Sequence, residues 1–139
     1  MCSSDLMVAK VLIVEDDEKL RESLALALRT CAGLSIQVLL AGDGKEALRI
    51  IEEEGDINVA VVDIFMPGVD GIEFIRTVRK TQHALNTLAI SGGAVHIHSN
   101  YLNSARFLGA AAILTKPFRM TQFQEAVKKL LDGAPEAAE

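Results

Sequence analysis

Residues 8–14, VAKVLIV, form a short and almost entirely apolar run that is rich in β-branched side chains. This pattern is typical of a parallel strand that is buried on both faces. Residues 17–30 follow with apolar side chains at helical spacing, and Gly33 ends the helical pattern. Residues 35–41, SIQVLLA, then return to a strand-like run. This strand–helix–strand unit decides the fold, because two parallel strands need a crossover connection of this length.

The same alternation continues along the rest of the chain. Further strands are predicted at 57–62, 86–91 and 111–115, and further helices at 43–54, 70–80, 100–108 and about 123–131. Five strands that alternate with five helices predict an α/β protein with a parallel sheet covered on both faces. In such a sheet, functional side chains gather at the carboxyl ends of the strands.

The composition narrows the class of protein and its location. A chain of 139 residues, half of them apolar, fits one domain with a sizeable core. The 14 basic and 19 acidic side chains give a net charge of −5, which disfavours direct binding to nucleic acid or anionic membranes. The N-terminus lacks a secretory pattern, and no apolar run approaches the roughly 18 residues of a membrane span. Cys2 and Cys31 lack metal-site spacing and indicate reduced thiols, so we expect a cytoplasmic protein.

Polar and charged side chains stand at the end of four predicted strands. Carboxylates occupy positions 15–17 after the first strand and Asp63 after the third, Ser91 ends the fourth, and Lys116 follows the fifth. Two carboxylates about 5 Å apart repel each other by about 3 kcal/mol at an effective dielectric constant near 20. A hard divalent cation such as Mg²⁺ relieves this repulsion. Together with an amine and a hydroxyl, such a site suits the transfer of a phosphoryl group to a carboxylate.

Four segments together resemble the receiver domain of two-component response regulators. They are VLIVEDD (11–17), VVDIFMPGVDGIEF (61–74), LAIS (88–91) and LTKPF (114–118). The resemblance covers residues 8–132 and leaves 1–7 and 133–139 as terminal tails. The chain also resembles some stand-alone receivers. It implies a flavodoxin-like doubly wound parallel sheet of strand order 2-1-3-4-5 with five helices.

The resemblance also implies a role for individual residues. Asp63 is the expected phosphoacceptor, Lys116 the amine that binds the phosphoryl group, and Ser91 the hydroxyl that responds to it. The implied ligands of Mg²⁺ are Glu15, Asp16, Asp63 and the backbone carbonyl of Phe65. The Lys116–Pro117 peptide bond resembles one that is cis in the family.

Other residues near these motifs are assigned to structural roles. Asp17 is expected to cap or begin the first helix, and Gly71 to serve a turn. His96 and His98 lack a third ligand and are interpreted as solvated loop residues. Ile113 departs from the family, which usually has Tyr or Phe at this position. We therefore expect the response to phosphorylation to be smaller or to be communicated differently.

The sequence thus predicts a phosphoacceptor that signals through protein–protein contacts and is not an enzyme. Its expected partners are a histidine kinase or histidine phosphotransfer protein and an unidentified downstream protein. The face of predicted helix four, strand five and helix five is the expected readout surface and a candidate homodimer interface. No output domain is expected, although the chain being a fragment of a longer regulator is an alternative. Two other functions are also alternatives: a small aspartyl-phosphate hydrolase, and a receiver-like interaction module that is not phosphorylated.

Overall fold

Five strands and four helices make up the part of the chain that the computed structural model describes, which is residues 8–64, 71–82, 84–91 and 109–133. The strands are β1 (Ala9–Val14), β2 (Ile36–Ala41), β3 (Val59–Asp63), β4 (Asn86–Ser91) and β5 (Ala112–Thr115). The helices are α1 (Glu18–Arg29), α2 (Gly44–Glu54), α3 (Gly71–Thr81) and α4 (Met120–Leu131). The predicted helix at 100–108, the Phe65 carbonyl and the loop histidines lie outside the described residues.

The strands form one parallel sheet in the order β2-β1-β3-β4-β5, as predicted. β3 is the central strand, with β1 on one side and β4 on the other. It ends one residue later than the sequence pattern predicts, because the backbone of Asp63 still pairs with Ile90. This order sets the end of β1 beside the end of β3 at the carboxyl edge.

The core lies on both faces of the sheet, which explains the continuous apolar runs of the central strands. On one face Ile13 packs in a cluster with Leu24 of α1 and Phe123 of α4. On the other face Leu12 packs in a cluster with Phe74 of α3. All five side chains are fully buried, so both layers hold the sheet and its edge in place.

Side-chain caps fix where two helices begin. The Asp17 carboxylate accepts hydrogen bonds from the backbone N–H groups of Lys19 (3.0 Å) and Leu20 (3.3 Å), which confirms its predicted role. Asp43 accepts a bond of 2.8 Å from the backbone N–H of Glu46 at the start of α2. None of the helices in the described ranges is long and apolar enough to cross a membrane.

Candidate functional site

Three carboxylates converge where β1 and β3 end. One carboxylate oxygen from each of Glu15, Asp16 and Asp63 lies within 4.8 Å of the other two. Glu15 directly follows β1, and its backbone N–H donates to the Ala41 carbonyl at 3.0 Å, which extends the pairing with β2. Glu15 and Asp63 are buried, whereas Asp16 is exposed. The three acids therefore lie close together, as the sequence predicted.

Lys116 brings a positive charge to the same edge. Its ammonium Nζ lies 3.5 Å from Oδ2 of Asp63, and its side chain is 31% exposed against 7% for Asp63. The backbone N–H of Lys116 donates to the Ser91 carbonyl at 2.9 Å, which ties the end of β5 to the end of β4. The Lys116–Pro117 peptide bond is cis, as the resemblance implied.

Two buried oxygen atoms at this edge have no hydrogen-bond partner among the described residues. They are Oγ of Ser91, which is completely buried, and Oε1 of Glu15. An unsatisfied buried polar atom is costly, and most such atoms in proteins are paired. Both residues stand at the carboxyl edge of the sheet with Asp63 and Lys116, so a ligand with a cation and oxygen atoms there would satisfy groups that are unpaired among the described residues.

Glu15 is the carboxylate most altered by its surroundings. Burial is the largest cause that raises the pKa of Glu15, and the neighbouring Asp63 carboxylate raises it further, to about 7. The backbone N–H of Asp17, which donates to Glu15 Oε2 at 3.1 Å, and the charge of Lys116 act in the opposite direction. A hard divalent cation favours the ionised form, and three carboxylates are the donors that Mg²⁺ prefers. The residues present therefore fit a magnesium ion.

Gly71 was assigned to a turn, although it also lies in the predicted helix at 70–80, and the structure makes it the first residue of α3. A Cβ on Gly71 would lie 2.5 Å from the Asp63 carbonyl oxygen and would also meet the Ile64 backbone. Only glycine lets α3 begin this close to the strand that carries Asp63. The DG pair was visible in the sequence, but the close approach was not.

Arg21 is a residue that the sequence interpretation missed. Its guanidinium Nη1 donates to the Glu15 carbonyl at 2.7 Å, from α1 back to the loop that carries the acids. No sequence motif includes Arg21, because arginine is common at helix positions that the sequence pattern predicts to be exposed. Ile113, by contrast, lies half-buried against the cluster of Ile64 and Ala89, where the family usually has an aromatic ring.

Comparison with known proteins agrees with this fold. The model of the response regulator receiver domain family matches residues 11–128, so the chain belongs to that family and to two-component signalling. It is 34% identical over 139 residues to the response regulator MprA of Mycolicibacterium vanbaalenii, covering 95% of this chain and 57% of that protein. It is also 34% identical over 125 residues to the sensor kinase CckA of Brucella abortus, covering 89% of this chain and 13% of that protein.

Solved structures support the fold. A response regulator receiver domain protein from Clostridium thermocellum superposes with a TM-score of 0.81 at 23% identity, covering 91% of this chain and 96% of that one. At this identity the likeness concerns the fold alone. The chain spans 13%, 51% and 57% of the lengths of three curated relatives, which is about half of their length or less.

Proposed function

We propose that this receiver accepts a phosphoryl group on Asp63 from the phosphohistidine of a histidine kinase or histidine phosphotransfer protein, with Mg²⁺ bound. The observation that carries the proposal is the position of Asp63. Its carboxylate lies 3.5 Å from the Lys116 ammonium, and one of its oxygens lies within 4.8 Å of an oxygen of each of the other two acids. A phosphoryl acceptor needs positive charge close by, from Lys116 and from a magnesium ion held by the three acids, because the incoming group carries negative charge.

The transfer would be a displacement at phosphorus. A carboxylate oxygen of Asp63 forms the new P–O bond as the P–N bond to the donor imidazole breaks, and the electron pair of that bond stays with the imidazole. Lys116 offsets the charge that Asp63 and the phosphoryl oxygens share. The Ser91 hydroxyl, which is unpaired within the described ranges, would donate to a phosphoryl oxygen.

Glu15, Asp16 and Asp63 would hold the magnesium ion, and the Phe65 carbonyl stays a predicted fourth protein ligand. When bound, Mg²⁺ supplies positive charge that stabilises the phosphoryl oxygens. Glu15 gives this set a buried carboxylate that is poorly solvated, whereas Asp16 gives an exposed one. The buried Glu15 carboxylate would bind the ion in preference to water. The exposed position of Asp16 would leave a path by which the phosphohistidine donor can approach.

Phosphorylation would signal through charge and contact. The phosphoryl group adds nearly two negative charges at the end of β3. Residues 8–132 would act as one receiver unit in the cytoplasm, with an unidentified downstream protein as target. β5 and α4 would be part of the readout surface, and a homodimer through that face stays a prediction. Ile113 lies half-buried in β5, so its aliphatic side chain would transmit a smaller rearrangement than an aromatic ring.

Intact-mass measurement after treatment with acetyl phosphate and Mg²⁺ tests the proposal. Wild type should gain one adduct of about 80 Da, and Asp63→Asn should gain none. Asp17→Asn is a matched control, because it removes an exposed acid from the same loop while keeping a good helix cap. It should still be phosphorylated, and addition of a chelator should abolish every adduct.

Three results would each change the proposal. An adduct on Asp63→Asn would displace Asp63 as the acceptor. Release of more than one equivalent of phosphate per protein from phosphate esters would favour a hydrolase. No adduct on wild type, with either acetyl phosphate or a phosphorylated histidine phosphotransfer protein, would favour an interaction module that is not phosphorylated.

A further inference from the structure

The loop between β1 and α1 carries two of the three clustered acids, and its backbone is held at several points. The backbone N–H of Glu15 donates to Ala41 in β2, and that of Asp17 donates to the Glu15 carboxylate. The Asp17 side chain is occupied with the first turn of α1. Asp16 lies between these anchors, and no described residue bonds its carboxylate. Its position therefore depends on the backbone on either side of it.

Arg21 supplies the anchor on that backbone. Its Nη1 donates to the Glu15 carbonyl at 2.7 Å, the shortest of the hydrogen bonds described for this loop. The same atom lies 3.5 Å from where a Cβ on Gly42 would be, so the side chain reaches from α1 across to the end of β2.

The bond to the Glu15 carbonyl orients Asp16 through the peptide plane. The carbonyl oxygen of Glu15, the nitrogen of Asp16 and the Cα of Asp16 belong to one rigid peptide unit. Holding the oxygen limits rotation of that plane and so fixes the position of the Cα from which the Asp16 side chain extends. A guanidinium is always charged, and a charge-assisted hydrogen bond is stronger than a neutral one.

We propose that Arg21 is a positioning residue for magnesium binding, which holds the Glu15–Asp16 peptide so that the exposed carboxylate of Asp16 joins the two buried ones. This inference rests on the proposed function. Arg21 does not touch the acceptor or the phosphoryl group, and it acts through the Glu15 backbone. Partners that orient metal ligands typically contribute tenfold or more to metal affinity.

Charge alone predicts the opposite result, which makes the proposal testable. Removal of a positive charge beside an acidic cluster strengthens the binding of a cation, whereas loss of positioning weakens it. Lys19 is the matched control, because it is an exposed cation two residues earlier on the same helix. Its side chain does not bond the Glu15 carbonyl.

Isothermal titration calorimetry with Mg²⁺ on wild type, Arg21→Met and Lys19→Met is the first measurement. Arg21→Met should raise the dissociation constant about tenfold, while Lys19→Met should leave it unchanged or lower it slightly. In an Asp16→Asn background, Arg21→Met should cause little further loss, because the residue through which Arg21 acts is already altered. Circular dichroism without Mg²⁺ establishes that each variant is folded, and Arg21→Lys replaces Arg21→Met if the latter is not, again with weaker binding expected.

The rate of phosphorylation by acetyl phosphate gives a second, separate measurement. In Arg21→Met the Mg²⁺ concentration for half-maximal rate should rise about tenfold, while the rate at saturating Mg²⁺ stays close to that of wild type. Unchanged or tighter Mg²⁺ binding by the Arg21 variant overturns the inference and leaves the proposed function intact. If wild type itself binds no Mg²⁺, both are overturned.

Discussion

Substitution of Glu15 by Gln tests the electrostatics of the site in the absence of metal. The raised pKa of Glu15, about 7 in the folded protein against 4.5 ordinarily, means that the fold favours the protonated carboxyl. The stability from this preference is fully present below pH 4.5 and is lost as the pH rises through 7. Gln has nearly the same shape and does not ionise, so the variant escapes that loss.

The size of the effect follows from the shift. Each pKa unit corresponds to 1.36 kcal/mol, so the free energy of unfolding of wild type should fall relative to Glu15→Gln by about 3 kcal/mol between pH 4.5 and pH 8. Little of this is screened by solvent, because Glu15 is only 2% exposed. The effect is a large share of the roughly 5–15 kcal/mol that stabilises a domain of this size.

Urea denaturation followed by circular dichroism, with chelator present, measures the difference at pH 4.5, 6 and 8. The stability of Glu15→Gln relative to wild type should increase at each step. Glu22→Gln, which removes an exposed acid in the middle of α1, should show a constant difference. A difference that is flat or decreases for Glu15→Gln would refute the reasoning. Addition of Mg²⁺ at pH 8 should stabilise wild type more than the variant.

Three further substitutions test separate parts of the site. Gly71→Ala should lower the free energy of unfolding by about 1–3 kcal/mol in urea denaturation, because its Cβ meets the Asp63 carbonyl. Ser91→Ala should leave that free energy unchanged or raise it, since it removes a buried hydroxyl that no described residue pairs, yet it should slow phosphorylation by acetyl phosphate. Lys116→Met should slow that reaction at least as much. Lys10→Met, which removes a cation paired at 3.4 Å with Glu54, should leave the rate unchanged.

The strands and the acids at their carboxyl ends could be predicted because both depend on local pattern, whereas the strand order was implied only by the resemblance to receiver domains. Apolar runs such as residues 8–14 identify buried parallel strands, and the residue after each run marks the carboxyl edge. Asp63 and Lys116 were found in this way. The strand order places both residues at the same edge of the sheet with β4 between them, and the long Lys116 side chain brings its ammonium to 3.5 Å from Asp63.

Contacts between distant segments could not be predicted in the same way. No pattern marks Arg21, and the pattern around Gly71 does not show its close approach, since the importance of both comes from what lies opposite them in space: a carbonyl in one case and a strand backbone in the other. The burial of Glu15 but not of Asp16, two neighbours in the sequence, is also a property of the assembled edge. Successive side chains point to opposite faces of a sheet only within a strand. Because β1 ends at Val14, this rule does not predict which of the next two acids is buried.

The unequal burial of these two acids links stability to ligand binding. Without a cation, ionised Glu15 lies beside Asp63 in a poorly solvated place, and the folded state is destabilised as the pH rises. A cation removes that repulsion, so the free energy lost by the metal-free protein contributes to its affinity for the ion, because both are measured from the same reference state. A site made of exposed acids alone would cost the fold less and would bind the ion more weakly. We therefore expect Glu15→Gln to gain stability and lose magnesium affinity together, whereas Asp16→Asn, at an exposed position, should lose affinity with little gain in stability.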